Sequence, residues 1–155
     1  MLHNDPWKLI DSLQSMIVSS VDTRGLPHIS YAPFIQKEQI FYICISAMSS
    51  HTQNLLHTPV ASIAFIEDES KSNNIFARRR VTFTVNLRPV ERGSIEYNGA
   101  MTLFEDRFGE LASIYKTMPD FQLFALNPVS GRAVFGFGQA YDFKDGRFDN
   151  ISIKS

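Results

Sequence analysis

The chain of 155 residues is short of cysteine. Its single one, Cys44, excludes an internal disulfide and any multi-cysteine metal cluster. It also lacks an excess of charge of either sign. Fifteen Lys and Arg stand against 16 Asp and Glu, and a net charge of −1 excludes the strongly basic surface of a dedicated nucleic-acid binder. No apolar run reaches the ~18–20 residues that would span a bilayer, so no membrane partner is expected. The start, MLHNDPWKL, has the pattern of neither a signal nor a transit peptide, and the expected location is the cytoplasm. Serine-hydrolase, zinc-protease, Walker and Rossmann glycine patterns are missing. Gly136-Phe137-Gly138 is too short for a dinucleotide fingerprint and, within a strand, would mark a bulge or a close backbone approach. No repeat, low-complexity tract or linker divides the chain.

What is present is ordinary globular composition, 44% hydrophobic and 20% charged, with an unusual 13 Phe. One domain over 1–155 is expected: an N-terminal helix in 1–14, a barrel with helices over 15–143, and a polar tail over 144–155. Asp5 is a good N-cap, and Pro6 suits the first helical position because its missing N–H had no partner there. Trp7, Ile10 and Leu13 then recur on one face. Strands are expected over Met16–Val21, Ile29–Ile35, Ile40–Ser46 and Val60–Glu67. A turn lies at Asp22–Gly25, another at Gln36–Gln39, and a short helix over Ser50–Thr58 is stopped by Pro59. The third and fourth strands read as apolar on both faces, which suits a barrel with something packed outside it.

Glu67–Asn74 reads as a polar loop. The next strand, Ala77–Arg88, alternates: Val81, Phe83, Val85 and Leu87 on one face, with Arg78, Arg80, Thr82 and Thr84 on the other. Met101, Phe104, Phe108, Leu111, Tyr115 and Met118 recur at helical spacing, with Gly109 as a break. Phe121–Leu126 and Arg132–Phe143 return to strand. Strands, then helices, then strands define an α+β class dominated by β, a small antiparallel barrel with peripheral helices.

The stretch SAMSSHTQNLLHTP, 46–59, carries the most chemistry. A strand running into a helix leaves amide N–H groups and the positive dipole end pointing outward, a seat for phosphate or carboxylate. Ser49, Ser50 and His51 stand beside that seat. Ser50 and Gln53 have capping-box spacing; a plain capped surface helix is the alternative. Arg78 and Arg80 on one strand face suit bidentate anion binding, or else protect an edge strand by charge. Glu67-Asp68-Glu69 lacks calcium-loop spacing and reads as a solvated acidic loop. His3, His28, His51 and His57 show no metal-ligand spacing, although one imidazole suffices for heme iron; the metal ligand is unassigned. Asp120 reads as a turn residue or a carboxylate at a pocket edge.

Several segments together resemble one family. They are Ile29–Phe34, His51–Leu55, Ile66–Glu69, Phe76–Arg80, Glu105–Glu110, Asp120–Phe124 and Gly136–Tyr141. Their order and spacing over residues 12–143 resemble the heme-utilization branch of the pyridoxamine 5'-phosphate oxidase-like, FMN-binding split-barrel superfamily. The resemblance implies a split β-barrel homodimer with its sites at the subunit interface. It implies heme or FMN as cofactor and an oxidoreductase, either degrading heme or using FMN on a small molecule; a non-catalytic heme or flavin carrier is the third reading. Carried onto this chain, the cofactor contacts are Ser49, Ser50, His51, Arg78 and Arg80, and the positions associated with heme chemistry are His51 and Asp120. Tight FMN binders usually carry Arg-Lys where this chain has Ser50-His51. Heme-degrading members place an axial histidine in a C-terminal tail, and residues 144–155 contain none.

Overall fold

The computed structural model describes residues 5–151. His3, the start of the N-terminal segment and the last four residues of the expected tail lie outside them. Helix α1, Pro6–Asp11, begins as the sequence predicts: the Asp5 carboxylate accepts the Trp7 N–H at 3.0 Å, with Pro6 in the first turn. The chain then runs β1 (Ser15–Val21), β2 (Pro27–Pro33), β3 (Ile35–Lys37), β4 (Ile40–Ser46), α2 (Ser50–His57), β5 (Val60–Ile66) and β6 (Arg80–Val90). Helices α3 (Ile95–Phe108) and α4 (Glu110–Thr117) follow, then β7 (Phe121–Val134), β8 (Ala140–Lys144) and β9 (Arg147–Asn150).

All strands join one antiparallel nine-stranded sheet ordered β2-β1-β5-β6-β7-β4-β3, with β8 and β9 branching from β7. Its two ends, β2 and β3, are consecutive in the chain and separated by Phe34 alone, a residue with no exposed surface. The sheet curls until one fully buried residue bridges its edges, and no ladder joins them. This is the split in the barrel.

The interior is aromatic. Phe34, Phe41, Phe65, Phe83 and Phe124 are all at most 2% exposed, and Trp7 of α1 stacks on Phe41 and Phe83. On β6 the expected alternation holds residue by residue from Val81 to Leu87. Strand β4 is buried on both faces: Phe41, Ile43 and Ile45 face the interior, while Tyr42 and Cys44 pack under α3 and α4. Strand β5 differs from expectation. It alternates, with Val60 and Ser62 exposed, because the helices cover β4 and leave β5 bare.

Other boundaries also shift. The second expected strand breaks at Phe34 into β2 and β3, and the following turn narrows to Glu38 and Gln39, both with positive φ. The expected gap between Leu126 and Arg132 is closed: β7 runs through it, and a bulge opposite Thr84 and Val85 absorbs Val129. Gly136 and Gly138 lie in the turn between β7 and β8, not inside a strand. The close backbone approach belongs to Gly131, where a Cβ would stand 2.5 Å from the Thr82 carbonyl oxygen. Gly109 breaks the helices as expected, with φ +73°. The break re-phases α4, so Ala112 is buried and Leu111 is 71% exposed. The expected polar tail supplies β9, folded back by Asp145-Gly146, and Phe148 packs against Trp7, Phe83 and Phe143. Among the described residues no helix is long and apolar enough to cross a membrane.

Candidate functional site

The connection from β4 into α2 is set by main-chain hydrogen bonds. The Ser46 carbonyl accepts both the Ser49 N–H at 3.1 Å and the Thr52 hydroxyl at 2.5 Å. Thr52 has no exposed surface, so α2 is pinned by its own first turn. The capping box does not form. Ser49 is the N-cap and makes no side-chain cap bond, and the Gln53 amide reaches back to the Ala47 carbonyl at 2.7 Å instead. The first-turn amides of an α-helix lack intrahelical acceptors and carry its positive end. Ser49, exposed Ser50 and half-buried His51 surround that end.

His51 is held in place. Its Nδ1 lies 2.7 Å from the Ser30 hydroxyl of β2. Burial pushes its pKa below the usual imidazole value, and the neighbouring His28 adds to the shift, so the ring is neutral at pH 7. His28 is two residues before Ser30 on the same face of β2, and its Nδ1 is enclosed by protein with no hydrogen-bond partner. Beyond them the Asn54 amide donates to the buried Ser20 hydroxyl of β1 at 3.2 Å. A groove of about 620 Å³ opens beside this cluster, lined by Arg24, Leu26, His28, Met48, Ser50 and Asn54 among others. By sequence, His28 counts only among four imidazoles that could meet heme iron, and Ser30 is not singled out. The available signal was the alternation His28-Ile29-Ser30-Tyr31, which puts both polar side chains on one face.

Asp120 lies in the exposed turn between α4 and β7, and its carbonyl accepts the Ala47 N–H at 2.6 Å. The structure therefore joins the Asp120 turn to the segment that starts α2.

The arginines lie elsewhere. Arg78 precedes β6, so it does not share a strand face with Arg80. Its guanidinium donates through Nε and Nη2 to the Glu67 carbonyl at 3.1 and 2.6 Å, and Glu69 is 3.5 Å away. Arg79 pairs with Glu67, whose side chain is 9% exposed. Arg80 is exposed at the start of β6 and donates to the Arg78 carbonyl. The ladders Ser30–Val18, Val18–Ile63 and Ile63–Phe83 put Arg80 three strands across and three residues along from Ser30. Arg80 also faces outward, whereas Val18, beside Ser30, faces the interior. The fold of the single chain does not bring these arginines to His51. Arg78 instead lines a second groove, of about 560 Å³, on the outer face with Ile17, Tyr31 and Asp68. That face also exposes Ile29 (71%) and Tyr31 (69%). Among the described residues no three His, Cys, Asp or Glu side chains gather as metal ligands.

A curled antiparallel sheet split at Phe34, with a helix N-terminus opening beside its edge strand, defines a split-barrel protein. The sequence profile of the pyridoxamine 5'-phosphate oxidase family matches residues 8–135, and the chain belongs to that family. It is 39% identical over 128 residues to the heme oxygenase HutZ of Vibrio cholerae, covering 83% of this chain and 73% of that protein. A crystal structure of HutZ from Vibrio cholerae, there named a heme storage protein, superposes with a TM-score of 0.75 at 34% identity. That match covers 79% of this chain and 86% of the other. ChuZ of Campylobacter jejuni superposes with a TM-score of 0.85 at 33% identity over 94% of this chain, which spans 60% of the ChuZ chain.

Proposed function

We propose that the protein binds heme in heme utilization, at a site begun by the first turn of α2 and completed by a second copy of the chain. The observation that carries this is the cluster of His51, Ser30 and the unpartnered His28 at a helix N-terminus, in a chain related to a protein named heme oxygenase and heme storage protein.

The donor set fits the group. Heme presents carboxylates and a flat apolar body. A helix N-terminus, the exposed Ser50 hydroxyl and exposed Arg24 suit the carboxylates. Leu26 and Met48, 51% and 87% exposed, offer apolar surface beside them. Bound heme would supply a redox iron able to take up electrons and react with O₂. This chain's residues have narrower tasks. The α2 amides and Ser50 orient an anionic edge. Ser30 fixes the His51 ring, leaving Nε2 to face a ligand as a neutral imidazole. Asp120 offers an exposed carboxylate at the same corner.

The homodimer belongs to the same reading. Arg78 and Arg80 are remote from His51 within a protomer, and the outer face carries exposed Ile29 and Tyr31. A second copy seated on that face is the arrangement in which the arginines complete the site.

Hemin titration tests the proposal. A saturable Soret band with one heme per chain is expected, and FMN should produce no comparable spectral change. Binding of FMN without hemin would replace heme with the flavin reading. Adding ascorbate to the hemin complex then separates the two roles that HutZ's names describe: loss of the heme spectrum means degradation, and a persistent spectrum means storage. Light scattering at micromolar concentration should give the mass of a dimer; a monomer would remove the shared site.

A further inference from the structure

We infer that Arg92 is a positioning residue for this site, holding the Asp120 turn against the start of α2. The inference rests on the reading of Asp120 as a site residue given above. Arg92 follows β6 and lies outside every segment that carried the family resemblance. Its guanidinium gathers three main-chain carbonyls: Nη1 donates to Lys116 at 2.6 Å, and Nη2 donates to Met118 at 2.8 Å and Phe121 at 3.1 Å. Those acceptors bracket Pro119-Asp120 on both sides. The guanidinium carbon also stands 5.5 Å from the ring centroid of Tyr97, a residue 5% exposed, which holds the group from behind.

The geometry has a direction. A carbonyl at the end of a helix normally finds water or a cap. Here the last carbonyls of α4 and the first of β7 converge on one cation, and Phe121 stacks on Tyr115 at 4.5 Å. The turn is fixed from one side by Arg92, itself at the surface, and Asp120 remains exposed at its tip. From there a continuous set of hydrogen bonds reaches the site. The Asp120 carbonyl takes the Ala47 N–H, Ser46 takes the Thr52 hydroxyl, and Thr52 adjoins His51 in the first turn of α2. A planar fork that reaches carbonyls in several directions is what Arg supplies. A Lys ammonium reaches fewer of them at once.

The test uses the full chain with Arg92→Gln, Arg92→Lys, Asp120→Asn and the Arg92→Gln/Asp120→Asn double variant. Amide hydrogen exchange and hemin titration are the readouts. In Arg92→Gln, exchange at Ala47 should accelerate about tenfold or more while Val85 in β6 keeps its native rate. Arg92→Lys should fall between that variant and the native chain, and it substitutes if Arg92→Gln does not fold. Hemin affinity should drop in Arg92→Gln, and the drop should shrink where Asp120 is already Asn, because part of it acts through that carboxylate and the rest through the Asp120 carbonyl that Asn retains. An unchanged Ala47 rate overturns the inference. So does acceleration shared equally with Val85, which would be general loosening, or additive losses of affinity in the double variant. If Asp120→Asn alone leaves hemin affinity unchanged, the site reading of Asp120 falls; the Ala47 rate still decides whether Arg92 holds the turn.

Discussion

The barrel interior and the corner where β4 enters α2 are built on different principles. In the interior, rings meet rings: Phe41, Phe65 and Phe83 lie 5.1 to 6.3 Å apart by centroid, and their positions follow from strand alternation. At the corner, backbone meets backbone and polar side chain, through Ser46, Ala47, Asp120 and Thr52. The interior holds the molecule together. The corner fixes the direction of a few exposed groups, and its losses should register in ligand binding before they register in stability.

Substitutions can break this contrast. Phe83→Ala empties the middle of the ring cluster and should cost about 3–5 kcal/mol in urea denaturation, without a selective effect on whatever hemin affinity the folded fraction retains. Gly131→Ala drives a Cβ against the Thr82 carbonyl and the Phe83 ring. It should cost about 1–3 kcal/mol and disturb the interior from the outside. His51→Ala removes one hydrogen bond at the corner, worth about 0.5–1.5 kcal/mol. It should weaken hemin binding by more than His57→Ala, since His57 is exposed on the same helix; equal effects would place the ligand elsewhere.

The corner should also respond to pH in a way the interior does not. The folded pKa of His51 lies below 6.5, so the unfolded chain takes up its proton first as pH falls. Its contribution to stability is complete above about pH 6.5 and is lost as pH drops through the lowered folded value. His51→Gln should flatten that part of the stability profile. The smallest effect concerns Cys44. Burial pushes its thiol up to about 11, so iodoacetamide should leave it unmodified in the native protein at pH 7 and alkylate it once urea unfolds the chain.

The β-rich α+β class, the alternation of β6, the Asp5 cap and the break at Gly109 were legible because each rests on near neighbours in the chain. Errors gathered where a distant partner decided. Arg78 reads as a strand residue until the Glu67 carbonyl draws it out of β6. Residues 127–131 read as a gap until a bulge at Val129, across from Thr84 and Val85 of β6, lets β7 continue. Residues 144–155 read as a polar tail although Asp145-Gly146 is a local hairpin signal; what made β9 worth forming was the ring contact of Phe148 with Trp7, at the other end of the chain. At the site, the helix start after β4 was readable. Its hydrogen-bond partners were not, because Gln53 had a choice of acceptor and took Ala47 over the cap.

The order of residues by itself determined which side chains could be buried and where helices begin and break, since period and capping act over a few positions. It also placed Ser49, Ser50 and His51 at the mouth of α2. Only the tertiary structure decided that His51 rests on Ser30 of β2, that Asp120 is bound to Ala47, and that Arg78 and Arg80 stand on another face. Curling the sheet sets distances between residues far apart in sequence, and a hydrogen bond across such a gap forms only when both partners are already held there.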